Sequence, residues 1–83
     1  MRLVYFAWVR ERIGLAEETV DVPDTVVTAG DLIRWLAGRG DTYAHAFEAA
    51  AQIRVAVDQE HVPQDAPLGR PREVALFPPM TGG

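Results

Sequence analysis

The sequence predicts an α+β fold, a mixed β-sheet packed on one main helix with a second short helix beside it. Three observations carry that prediction. Five short segments alternate apolar and polar residues or are apolar throughout, as strands are. One stretch in the first half repeats apolar residues at helical spacing behind a capping signature. The first and last strand-like segments are apolar at both parities, which suits strands in the middle of a sheet with material on both faces.

Taken in order, Leu3 to Val9 reads as the first strand, with Leu3, Tyr5, Ala7 and Val9 on one face and Val4, Phe6 and Trp8 on the other. Arg10 to Gly14 breaks the pattern. Glu17 to Val22 resumes it as a short second strand, with Thr19 and Val22 toward the core and Pro23-Asp24 as its end, so the pair reads as a hairpin. Thr28 followed three residues later by Asp31 resembles a capping box and starts a helix there. Ala29, Leu32, Ile33 and Leu36 form its apolar stripe, Trp35 lies at the stripe's edge, and Gly38 and Gly40 end it. Asp41 is placed to cap a second short helix, in which Tyr43, Ala46, Phe47 and Ala50 share a face.

Ile53, Val55 and Val57 alternate with Arg54 and Ala56 in a half-buried strand that leaves through a turn at Asp58-Gln59. Glu60-His61-Val62 is a brief edge strand before Pro63. Pro67, Gly69 and Pro71 make Asp65 to Arg72 a loop. Val74 to Phe77 is the last strand, with Val74 and Leu76 on one face and Ala75 and Phe77 on the other. If the first and last strands pair at the centre, one sheet face meets the helix and Phe6, Trp8 or Phe77 is left on the other. That remainder is either a partner surface or is covered by a loop or the second helix.

The stretch that points to function is Phe77-Pro78-Pro79-Met80-Thr81-Gly82-Gly83. Each proline fixes φ near −65° and lacks an amide donor, so the strand must stop and the chain must leave as an extended rod. Residues 1–77 therefore read as the folded domain and 78–83 as a tail. At about 3.3 Å per residue the tail reaches roughly 20 Å, enough to enter another protein's active site. Gly82 and Gly83 have no Cβ, so a partner's catalytic groups can approach the backbone closely. The ionisable group at the tip is the Gly83 carboxylate. It is a poor electrophile until a partner gives it a leaving group, as adenylation would, after which a sulfur nucleophile could displace AMP and leave a thiocarboxylate.

Composition narrows the remaining choices. The 83 residues carry a net charge of −4, which disfavours nucleic acid as a partner. There is no cysteine, so sulfur chemistry has to happen at the C-terminus, and all eight basic residues are arginines, so no side-chain amine can accept an isopeptide bond. The opening apolar run is too short to span a bilayer, and the expected location is cytoplasmic. His45 and His61 lack neighbouring metal ligands, and no glycine-rich phosphate loop is present. No metal or cofactor is therefore expected on this chain.

The segments from Leu3 to Gly14, Val55 to Gln59, Asp65 to Leu68 and Glu73 to Gly83 resemble the small subunit of molybdopterin synthase, with Pro-Pro-x-Thr-Gly-Gly as the most specific part. The resemblance implies a β-grasp, ubiquitin-like fold acting as a sulfur carrier. Gly83 would be adenylated with ATP by a ubiquitin-activating-like adenylyltransferase and thiocarboxylated at the expense of a sulfur donor protein. The tail would then enter the large subunit, in a heterotetramer of two small and two large subunits, and give its sulfur to cyclic pyranopterin monophosphate to build molybdopterin. Catalytic side chains are expected on the large subunit. Phe77, Pro78, Pro79, Met80, Thr81 and Gly82 would be partner contacts, and Phe6 an apolar one. Two departures stand out: Gly69-Arg70-Pro71-Arg72 reverses the charge of an often acidic turn, and Met80 replaces a more common branched residue. The rival readings are a sulfur carrier for thiazole or cysteine synthesis, usually without Pro78-Pro79, and a ubiquitin-like modifier of target lysines.

Overall fold

The computed structural model describes residues 1–79. In chain order it contains β1 (Arg2–Tyr5), α1 (Ala7–Ile13), β2 (Glu17–Thr19), α2 (Ala29–Ala37), α3 (Asp41–Ala46), a 3-10 turn (Ala50–Gln52), β3 (Arg54–Val57), β4 (Glu60–Val62) and β5 (Glu73–Phe77). The five strands form one sheet in the order β2-β1-β5-β3-β4. The last strand sits at its centre, parallel to β1 and antiparallel to β3. This is the β-grasp arrangement, and the two strands apolar at both parities are its central neighbours.

On the helix side, Leu3 lies opposite Val74, and Tyr5 and Val55 flank Leu76. These residues pack with Leu32, Ile33, Leu36 and Phe47 in one core. Helix α2 starts as the sequence predicts: the Thr28 hydroxyl accepts the Asp31 N–H at 3.1 Å, and the Asp31 carboxylate accepts the Thr28 N–H at 3.1 Å. The backbone N–H groups of Thr28 and Val27, with Arg34 beside them, hold the Asp31 carboxyl down to about 2. Two further amide groups at this helix start are satisfied by the loop between β4 and β5, Ala29 N–H donating to Ala66 O and Gly30 N–H to Gln64 O.

Three expectations are corrected. The run from Leu3 to Val9 is not one strand, because β1 stops at Tyr5 and residues from Ala7 belong to α1. A run apolar at both parities also satisfies the helical period. Here Val9 and Ile13, four apart, are the buried pair, and Gly14 closes the helix in the left-handed region with φ 87°. The second correction follows from the first: β1 and β2 are antiparallel neighbours, but a helix connects them rather than a tight turn. β2 ends at Thr19, which is exposed. The pairing of Leu3 with Glu18 turns Glu18 to the core side, and Val20, 6% exposed, is the residue that packs, with Val22 half-buried behind it. Third, Asp41 occupies the first turn of α3 after Gly40 and makes no capping bond through its side chain.

Glu18 is the centre of a polar cluster at the core's edge. Its Oε2 accepts the hydroxyls of Tyr5 at 2.8 Å and Tyr43 at 2.7 Å, and its Oε1 accepts Arg39 Nη1 at 3.1 Å. The Arg39 guanidinium lies 4.6 Å from the Tyr43 ring and 5.3 Å from Trp35. Burial alone would raise the Glu18 carboxyl, but the hydrogen bonds from Tyr43, Tyr5 and Arg39 outweigh it and the group lies below its ordinary value. Burial pushes the Tyr5 hydroxyl well above its ordinary value, and Glu18 adds to that shift.

Candidate functional site

Because β1 and β5 run parallel, their C-terminal ends share one pole of the sheet, and the tail leaves from there. β5 is held on both sides, by β1 and by β3, up to Phe77, which stands opposite Arg54. The ladder continues one residue beyond β1, since Phe6 N–H donates to Leu76 O at 3.2 Å. Pro78 and Pro79, half-buried, follow at once and lack the amide hydrogens that would extend it. The root of the tail is therefore tied to the most firmly paired strand of the molecule.

Sequence-predicted residues meet at this pole. Phe6 is 49% exposed although it sits beside the central ladder. The chain turns away behind it at Ala7, whose φ of 52° is left-handed, and α1 begins. Phe77 is half-buried on the open face, with its ring edge-on to His61 at 5.2 Å between centroids. Trp8 is not part of the open face; it lies on α1, partly packed against the core, with the Arg12 guanidinium 4.4 Å from its ring. Arg12 also donates to His45 O and Glu48 Oε1, which ties α1 to α3. Met80, Thr81, Gly82 and Gly83, the chemical end of the predicted site, lie outside the described residues.

The open face between these residues is smooth. Val4, Ala75, Ala56 and His61 stand side by side across β1, β5, β3 and β4. Arg70 and Arg72 lie at the other end of β5, a strand length from the tail. Asp58 Oδ1 holds that loop through the backbone N–H groups of Arg72 and Glu73 at 2.9 and 3.0 Å. The charge reversal in the loop is thus remote from the tail root. Among the described residues, no three His, Cys, Asp or Glu side chains gather as a metal site, and no helix is long and apolar enough to cross a membrane.

Sequence reading missed Ala7, Arg54 and His61 at this pole. For His61 the signal was present: a two-residue turn at Asp58-Gln59 places Ala56 opposite His61 and so puts the imidazole on the Phe77 face.

The sequence profile of the ThiS family matches residues 3–83. Two relatives, both called molybdopterin synthase sulfur carrier subunit, align over all of this chain and 99% of their own length, at 34% identity in Haemophilus influenzae and 36% in Escherichia coli K12. Among solved structures, SAMP1 from Haloferax volcanii superposes with a TM-score of 0.71 at 29% identity, covering 100% of this chain and 98% of the other. With the family profile spanning nearly every residue and full-length relatives agreeing with it, the chain belongs to the ThiS family.

Proposed function

We propose that this chain is the sulfur carrier of molybdenum cofactor biosynthesis and works as the small subunit of molybdopterin synthase. The observation that carries the reading is the full-length similarity to two relatives bearing that role in their names. The tail's chemistry supports it. An activating enzyme joins the Gly83 carboxylate to AMP from ATP with loss of pyrophosphate. A sulfur donor protein then supplies sulfur, the C–O bond to AMP breaks, and a thiocarboxylate remains. The tail enters the large subunit, where its sulfur passes to cyclic pyranopterin monophosphate as the C–S bond to Gly83 breaks and water restores the Gly83 carboxylate. Phe6 and Phe77 flank the tail root and make apolar contacts with that subunit, Pro78 to Gly82 contact the walls of its channel, and the complex assembles two small with two large subunits. ATP is bound by the activating enzyme, and the catalytic side chains belong to the partners.

Intact-mass measurement on protein purified from its native host tests this. The carrier reading expects a fraction heavier by about 16 Da, sulfur in place of oxygen at the carboxylate. Removing Gly82-Gly83 should abolish both that fraction and dithiolene formation while leaving the melting temperature unchanged. Diglycine remnants on lysines of other proteins, with no heavier species, would instead identify a modifier.

A further inference from the structure

Phe77 is the last residue of β5 before the prolines, and its ring is met by a side chain from two strands away. His61 lies on β4, and β3 stands between β4 and β5. At about 4.8 Å per strand spacing, the two backbones are roughly 10 Å apart. The ring centroids are nevertheless 5.2 Å apart, with planes at 61°. The rings therefore lean toward each other over β3. What lets them do so is Ala56, which stands opposite both His61 and Ala75. Ala56 and Ala75 are only 6% and 9% exposed although they lie on the open face, so the flanking side chains close over them.

Arg54 stands directly opposite Phe77 on β3, and His61, level with Ala56 and Ala75, supplies the ring that meets Phe77 edge-on across that alanine pair. Pro78 already confines the Phe77 backbone to extended geometry. Side-chain rotamer and backbone are coupled, so holding the ring as well leaves the tail root one orientation. We infer that His61 is a positioning residue for sulfur transfer, bracing the Phe77 ring so that the tail leaves the sheet already aimed at the partner's channel. This rests on the carrier function proposed above.

The test compares thiocarboxylated wild type, His61→Ala, His61→Phe and a chain lacking Gly82-Gly83 as sulfur donors to the large subunit. His61→Ala should raise KM for the carrier about two- to ten-fold, the range an edge-to-face aromatic contact supplies, with kcat unchanged. His61→Phe should restore KM to within about two-fold of wild type. Both should melt close to wild type, because His61 is exposed on an edge strand. In NMR spectra of the free proteins, His61→Ala should move the Phe77 and Pro78 resonances and leave Val74 unmoved. An unchanged KM in His61→Ala, no rescue by His61→Phe, or unmoved Phe77 resonances would each overturn the role of His61 alone. A deletion chain that still delivered sulfur would overturn the carrier function and this role with it.

Discussion

Ala7 holds a left-handed φ of 52° between β1 and α1, a conformation that costs an L-residue roughly 1 kcal/mol and a β-branched one more. Its side chain is exposed, so packing does not compensate. The turn swings α1 off the line of β1 and leaves Phe6 facing outward at the tail root. Ala7→Val should therefore destabilise by about 1–2 kcal/mol, whereas Ala7→Gly should stay within about 1 kcal/mol of wild type. Urea unfolding of both variants decides it, and equal losses would remove strain as the explanation. At this scale the sequence was most informative about the end of β5, because Pro78 and Pro79 act through their own covalent geometry. Ala7 was not legible, since nothing in alanine's identity signals a positive φ.

The elements divide according to how local their causes are. Helix α2 was legible to its first residue because capping box and apolar stripe lie within ten positions of each other. Its cap makes a direct prediction: Thr28→Ala should cost about 1 kcal/mol, lowering the melting temperature by roughly 4–8 °C. A calorimetric scan showing no shift would mean that the loop contacts to Ala29 and Gly30 suffice to hold the helix start. The boundary between β1 and α1 was not legible. Leu3 to Val9 is compatible with strand and helix alike, and the choice rests on where the partner strand ends. β5 gives Phe6 its last ladder bond through Leu76 O, and beyond Leu76 lie Phe77 and two prolines with no amide hydrogens to offer. β3 and β4 were read correctly because clean alternation and a two-residue turn leave one register.

Across the whole molecule, Glu18 joins β1, β2, the chain after α2 and α3 through Tyr5, Arg39 and Tyr43. A carboxyl held below its ordinary 4.5 contributes stability that is present above that value and lost as pH falls through the folded one. The same sign applies to Asp31, lowered from 3.8 to about 2. Stability should accordingly decline between about pH 4.5 and pH 2. Glu18→Gln should lose about 1–2 kcal/mol at pH 7, since one amide oxygen must serve two tyrosine hydroxyls and the charge on Arg39 is left unpaired. That deficit should shrink toward pH 2, which melts of both proteins at several pH values would measure, and a constant gap would count against Glu18 as the titrating group. Residue type and spacing alone dictate which segments are apolar, that two of them belong at the sheet's centre, and that two prolines stop the last strand. That Glu18 faces the core, that Trp8 belongs to a helix and that His61 meets Phe77 over Ala56 emerges first in the folded chain. Each of these depends on the register between strands distant in sequence, and spacing along a single chain does not contain it.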